Sequence, residues 1–150
     1  MSLQKDIMEA IKAAMKAKDS TALQALRAVK SEILLAQTES GAKEELSEEA
    51  GIKLLQKLVK QRKDSAQVYA EQGRDDLAGP ELAEAAVIEK FLPEQLSADE
   101  VRDIVAGIIE KTGAESMKDM GMVMGMASKQ MAGRADGKTI SDIVKEILTI

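Results

Sequence analysis

The sequence predicts an all-α protein that consists of two helical subdomains. Strong helix-forming residues dominate, and only 2 of the 150 residues are proline. Apolar residues recur every three or four positions, and runs in which β-branched residues alternate with polar ones are rare. Both patterns favour amphipathic helices over strands, so we expect no sheet.

An N-terminal subdomain of long helices is predicted over residues 1–93. Its first helix covers about 2–17, and its second covers about 20–38 after the N-cap Asp19. A polar connection at 40–43 leads to a third helix over about 48–72. The residues predicted to face inward on these three helices are Leu3, Ile7, Ile11 and Ala14, then Leu23, Leu26, Ile33 and Leu34, then Ile52, Leu55, Leu58, Val59, Ala66 and Tyr69.

The fourth helix has the least regular sequence. It begins at Asp75 or Asp76, and Gly79-Pro80 lies within it. Because proline lacks an N–H and collides with the preceding turn, we expect a kink or a delayed start. Pro93 then disfavours helical geometry in the residue before it, so the subdomain boundary is placed there.

The C-terminal subdomain, residues 94–150, is predicted to be a three-helix bundle. Ser97 and Glu100 form a capping box for its first helix, and Asp136 caps its last. The middle helix is rich in methionine. Thioethers can bind Cu(I), but the helical spacing favours packing inside the bundle, where Gly121 and Gly125 would let a neighbouring helix approach closely. The methionines are Met117, Met120, Met122, Met124, Met126 and Met131.

The composition excludes most catalytic and metal-binding chemistry. The chain contains no histidine and no cysteine, so we expect no catalytic residue, no metal and no cofactor. No apolar run reaches the roughly 20 residues that a membrane span needs, and residues 1–6 lack the basic-then-apolar pattern of a signal peptide. A cytoplasmic protein without membrane contact is therefore expected.

Charge is distributed unevenly along the chain. The net charge is −5, but residues 75–110 contain ten acidic and two basic residues, a local net charge of −8. The rest of the chain therefore carries +3, which permits a polyanion-binding face.

Two groups of cations are candidate anion-binding sites. Arg62 falls near the centre of the apolar stripe of the third helix, so it is either a structural arginine or an inward cation that lines a cleft with Arg27 and Lys30. The other group, Arg134 and Lys138, flanks the start of the last helix, where free backbone N–H groups suit a phosphate. A tight turn with incidental charges explains the same segment equally well.

Six short motifs occur in order along the chain: Arg27–Ser31, Lys60–Ser65, Gly73–Leu77, Phe91–Leu96, Asp119–Met124 and Gly133–Lys138. Together they resemble the YqeY family, free-standing relatives of the C-terminal tail of the GatB subunit of tRNA-dependent amidotransferases. The resemblance implies two helical subdomains, of which the smaller is shared with GatB and helps to hold tRNA. The family is often labelled a carbon–nitrogen ligase, but the catalytic portion of GatB has no counterpart in these residues.

Three functional hypotheses follow, the weakest of which is a carbon–nitrogen ligase activity with glutamine as nitrogen donor, implied by the family label alone. The first is a non-catalytic tRNA-binding module that contacts RNA through Arg134, Lys138 and Lys129, with Lys118 and Lys145 on the adjoining helices. Since the chain has one tyrosine and one phenylalanine, recognition would depend on RNA shape and backbone. The second is a protein-interaction adaptor, in which the methionine-rich helix and the acidic segment 75–110 bind a tRNA synthetase or an amidotransferase.

Overall fold

The computed structural model describes residues 2–41 and 46–149, apart from the side chain of Ser40, and these contain seven α-helices and no strand. The all-α class is therefore confirmed. Residues 42 and 43 of the predicted polar connection lie outside the described residues. The helices are α1 (Leu3–Ala17), α2 (Ser20–Ser40), α3 (Glu48–Glu71), α4 (Asp75–Glu89), α5 (Ala98–Thr112), α6 (Met120–Gln130) and α7 (Gly137–Leu148), and a 3-10 turn (Met117–Asp119) precedes α6.

Local capping rules set most helix boundaries. Five helices begin after a residue whose side chain accepts a hydrogen bond from the backbone N–H three positions later. These N-caps are Ser2, Asp19, Ser47, Ser97 and Asp136. At the other end of α5, Gly113 has a φ of +73°, which glycine adopts without steric cost. Such short-range interactions explain why these boundaries are readable from the sequence.

The chain divides into two compact units, Met1–Leu92 and Pro93–Ile150, here called the N-terminal and C-terminal units. The N-terminal unit packs α1–α4 around an apolar core, and the C-terminal unit packs α5–α7 around a second one. Fully buried residues of the first core include Ile7, Val29, Ile33, Leu55 and Ile88. Those of the second core include Val101, Val105, Val123, Met131, Ile140 and Val144.

The inward face of α2 differs from the prediction at one position. Leu34 was expected inside, but it is 53% exposed. Ile33 is buried, and the next residue on a helix points about 100° away, so both cannot face the same core. The small residue Ala25, with Leu26 and Val29, completes the buried face instead.

Helix α4 begins at Asp75, one of the two predicted starts, and continues through Pro80, so of the two effects considered for Gly79-Pro80 the delayed start does not occur. Pro80 removes the hydrogen bond that its N–H would have donated to the Asp76 carbonyl, which costs the helix one bond. The usual clash between proline and the Cβ of the preceding residue does not arise, because that residue is Gly79.

Helix α6 also corrects an expectation. Most of the six methionines were expected to face the bundle, but three of them are exposed: Met117, Met122 and Met126. A Cβ added at Gly121 or Gly125 would meet no atom within 4 Å, so no helix in the described part of the chain approaches this face. Packing within the unit therefore does not explain these residues.

Candidate nucleic-acid interface

The turn between α6 and α7 is anchored in the core of the C-terminal unit. Met131, the first residue after α6, is fully buried, and its carbonyl accepts a hydrogen bond from the Arg134 backbone N–H at 2.9 Å. Gly133 is buried and has a φ of +78°, a left-handed conformation that a side chain would strain. The backbone from 131 to 136 therefore has a defined shape.

A second segment, residues 93–96, holds this turn from the side. The Leu96 backbone N–H donates to the Arg134 carbonyl at 2.8 Å. The side-chain amide of Gln95 donates to the carbonyls of Gly133, at 2.8 Å, and Pro93, at 2.7 Å. Sequence reasoning missed this role for Gln95, although the segment belongs to one of the six motifs. These long-range hydrogen bonds fix the position from which Arg134 projects.

The Arg134 side chain is exposed. Its Nε donates to the Glu94 carbonyl at 3.3 Å, and within the described chain no carboxylate oxygen lies within the 4.0 Å limit for an ion pair. One acid is nevertheless close enough to feel its charge. The pKa of Glu100 is lowered mainly by the hydrogen bond that its carboxylate accepts from the Ser97 backbone N–H, and also by the positive charge of Arg134. Most of the guanidinium remains available to a ligand.

The start of α7 presents a cation beside unpaired backbone donors. Asp136 accepts hydrogen bonds from the Thr139 backbone N–H at 2.7 Å and from the Thr139 hydroxyl at 3.1 Å, so both of its oxygens are engaged. The N–H groups of Gly137 and Lys138 belong to the first turn, where a helix offers them no acceptor. Lys138 is exposed, and none of the described carboxylates forms an ion pair with it.

The other three predicted cations are placed unequally. Lys129 is exposed in the last turn of α6, which leads directly into the turn. Lys118 lies 11 residues earlier in the chain, in the 3-10 turn that precedes α6 and thus at its opposite end. Lys145 lies two turns beyond Lys138, about 10 Å away, with Asp142 between them on the same face of α7. Arg134, Lys138 and Lys129 thus flank the same turn in the sequence, whereas Lys118 and Lys145 lie two or more helical turns away from it.

Of the two interpretations of Arg62, the contacts favour a structural arginine over a cation that lines a cleft with Arg27 and Lys30. Arg62 is largely buried, with a side chain that is 14% exposed, and its Nε lies 3.7 Å from Oε2 of Glu84 on α4. Its Nη1 donates to the Leu58 carbonyl at 3.3 Å. Arg27 and Lys30 are exposed on α2, and the two grooves described in this unit are lined by other residues. Arg62 is therefore a structural, ion-paired arginine.

No α-helix within residues 2–41 and 46–149 combines the length and hydropathy that a membrane crossing requires. The same residues contain no cluster of three or more acidic side chains placed to hold a metal ion.

Comparisons with known proteins give the family context. The sequence profile described as Yqey-like protein matches residues 4–148, and this description names no reaction. A protein of Pyrenophora tritici-repentis named altered inheritance of mitochondria protein 41, mitochondrial, is 28% identical over 141 residues, which cover 92% of this chain and 76% of that protein. A protein of the same name from Meyerozyma guilliermondii is 44% identical over 78 residues, 47% of this chain and 41% of its own length.

A further match connects the chain to an amidotransferase. It is 37% identical over 70 residues to a glutamyl-tRNA(Gln) amidotransferase subunit of Thermococcus gammatolerans, and the match covers 44% of this chain but only 11% of that protein. This supports the predicted relation to amidotransferase subunits. It concerns a small part of a much longer protein.

The expected cytoplasmic location is contradicted, because the Pyrenophora and Meyerozyma relatives carry a mitochondrial name. The properties behind that expectation, which are the absence of cysteine and of a long apolar run, are equally compatible with another compartment. Family membership itself is clear, since the matching profile covers nearly the whole sequence: the chain belongs to the YqeY-like family.

Proposed function

We propose that this chain is a non-catalytic module that binds a structured RNA of the tRNA class through the turn between α6 and α7. The observation that carries the proposal is the group Arg134, Lys138 and Lys129. These cations are exposed around a turn whose backbone is fixed by residues 93–96, and none has an ion-pair partner in the described chain.

Unpaired cations on a fixed backbone favour phosphate binding for two reasons. No existing ion pair has to break when the phosphate arrives, so the counterions released from the RNA contribute their full effect to the affinity. The guanidinium of Arg134 and the backbone N–H groups at the start of α7 also supply directed donors, which a phosphate accepts at several oxygens. Both effects are independent of base sequence.

The class of RNA is inferred from the relatives. The Thermococcus gammatolerans protein is named for an amidotransferase of glutamyl-tRNA(Gln), and this chain matches only about a tenth of it. We therefore carry over tRNA as the partner but no reaction. Without histidine and cysteine, and without a catalytic constellation among its caps and surface carboxylates, the isolated chain should show no glutamine-dependent amidation of a charged tRNA.

The direct test is the mobility of labelled tRNA with wild-type protein and with Arg134→Glu/Lys138→Glu. We expect the affinity to fall by about tenfold or more, because two attractive charges become repulsive. The matched control is Lys12→Glu/Lys16→Glu, which makes the same change in net charge at two exposed lysines of α1. The control should bind nearly as well as the wild type.

A single substitution guards against misfolding. Arg134 holds a backbone contact, but Lys138 makes no side-chain contact that Lys138→Ala would remove from the described structure. This variant should melt like the wild type and reduce the slope of log affinity against log salt by about one. Equal affinity and equal slope for Lys138→Ala and the wild type would refute the site.

The exposed methionines favour a second candidate function, the protein-interaction adaptor. Met117, Met122 and Met126 are about 40 to 50% exposed on the C-terminal unit, and thioether side chains adapt to different partner surfaces. A salt titration separates the two functions. Phosphate contacts predict an affinity that falls steeply with salt, whereas apolar docking of a synthetase or an amidotransferase predicts little change.

A further inference from the structure

The outward face of α6 and of the 3-10 turn before it carries lysine at both ends and small or flexible apolar residues between them. Lys118, Met122, Gly125 and Lys129 follow one another at intervals of four, three and four residues, and Met126 flanks them, so we call these five residues the α6 stripe. All five are exposed, and a Cβ at Gly125 would meet nothing within 4 Å. The stripe contains no acidic residue.

The outward face of α5 has the same spacing with the opposite charge. Asp99, Asp103, Ala106 and Glu110 also follow at intervals of four, three and four residues, and Gly107 flanks them, so we call these five the α5 stripe. All are exposed, and a Cβ at Gly107 would meet nothing within 4 Å. Asp99 lies 3.6 Å from Arg102 yet keeps 94% of its side chain exposed.

The two stripes complement each other in charge and in size. In each stripe the outermost charges are 11 residues apart, about 16 Å along a helix, so both ends pair when the helices lie side by side. Between the ends, an antiparallel arrangement of the two helices places Met122 opposite the small Ala106 and places Asp103 opposite Gly125, where no side chain crowds the carboxylate. Large side chains opposite small ones let two helices pack closely.

The two stripes cannot meet within one molecule. Helices α5 and α6 already pack in the same core, through Val101, Val105 and Ile108 on one side and Val123 and Ala127 on the other. Their stripes point away from that core. We therefore propose that the α6 stripe of one chain docks on the α5 stripe of a second copy, and that the protein self-associates through this contact.

The proposal also accounts for glycine on an exposed helix face. Each glycine in a helix costs about 1 kcal/mol relative to alanine, and nothing in the unit packs against Gly125 to offset that cost. A helix of a second copy that packs against the exposed backbone at Gly125 would offset that cost. The contact would engage Lys118 and Lys129, so self-association and RNA would compete for Lys129, and only Arg134 and Lys138 would stay free for RNA in the associated form.

Sedimentation equilibrium of the purified full chain, in low salt and without RNA, tests the contact. The average mass of the wild type should rise with concentration. The variants Lys118→Glu/Lys129→Glu and Asp99→Lys/Glu110→Lys should each associate at least about tenfold more weakly, because like charges then face each other at both ends. The matched control Lys5→Glu/Lys16→Glu, also 11 residues apart on an exposed face, should associate like the wild type.

Mixing the two charge-reversed variants gives the decisive result. In the mixture each contact again has opposite charges, so association should return to within a few-fold of the wild type. A wild type that stays monomeric, an α6 variant that associates unchanged, or a mixture that stays monomeric would each overturn the proposal. One variant changes Lys129, but none of these measurements contains RNA, so their failure leaves the proposed RNA site to its own test.

Discussion

The pair of helices α3 and α4 and the C-terminal unit use their cations in opposite ways. In residues 48–89, five of the six lysines and arginines form ion pairs. Of the seven lysines and arginines in the described part of the C-terminal unit, only Arg102 forms one. The five pairs are Lys53–Glu49, Lys60–Asp64, Arg62–Glu84, Lys63–Glu89 and Arg74–Asp76. The comparison shows that the position of the acids, more than the number of cations, determines which cations remain unpaired.

The largest expected effect concerns the core that supports the cation-bearing turn. Met131→Ala should destabilise the C-terminal unit by about 2 to 5 kcal/mol, because it leaves a cavity under the turn. The matched control is Met126→Ala, at an exposed site, which should stay within about 0.5 kcal/mol of the wild type. Urea denaturation measures both values. Hydrogen exchange should show faster opening in α5–α7 and unchanged protection in α1–α4; faster exchange throughout would mean that the two units do not unfold independently.

The next largest effect concerns the ion pair between α3 and α4. Glu84→Ala should cost about 2 to 3 kcal/mol, because it leaves the largely buried Arg62 without a counter-charge. The double variant Arg62→Met/Glu84→Met should be less destabilised than Glu84→Ala, since it removes both charges and keeps the volume. If Glu84→Ala unfolds at the same urea concentration as the wild type, Arg62 is not a structural arginine.

These cases show what the sequence could and could not reveal. Caps such as Ser97 and Asp136 act over three residues, so the helix ends were predictable. The partner of Arg62 was not, because Glu84 lies 22 residues away and meets it only after α4 packs on α3. The continuity of α4 could not be decided from the sequence, because Pro80 opposes a continuous helix while Gly79 removes the clash that proline usually causes.

The candidate site was predictable in part for the same reason. Arg134 and Lys138 stood out because the turn and the cap that flank them are local features. The role of Gln95 depends on a contact across 38 residues, which no periodicity reports. The outward direction of Met122 and Met126 was missed because an alternation of methionine and glycine does not define which face is apolar.

A smaller effect is expected for the ion pair of the C-terminal unit. Arg102 donates to Glu146 at 3.0 Å, but both side chains are about half exposed, so water already solvates them. Glu146→Ala should therefore cost less than about 1 kcal/mol. The measurement is the thermal midpoint of each variant, and Glu146→Ala should lower it less than Glu84→Ala does. Equal losses from the two substitutions would remove that contrast.

The smallest effect is a change with pH. The hydrogen bond from the Ser97 backbone N–H lowers the pKa of Glu100 below its ordinary value. The hydrogen bonds from the Arg74 side chain do the same for the pKa of Asp76. A carboxyl whose pKa is lower in the folded state stabilises the fold above its unfolded pKa, and this contribution is lost as the pH falls through the folded value. Stability should thus decline below about pH 4. Glu100→Gln should flatten this decline for the C-terminal unit, and an unchanged pH profile would contradict the assignment.

Amide chemical shifts of the isotope-labelled full chain during titration with tRNA test the central claim most directly. The account predicts that the largest shifts occur at Gly133–Lys138 and in the last turn of α6, and that they disappear when the salt concentration is raised. Residues of α3, whose cations are mostly paired, should change little. Shifts concentrated on α3, with the α6–α7 turn unaffected, would contradict the assignment of the unpaired cations as the RNA-binding surface.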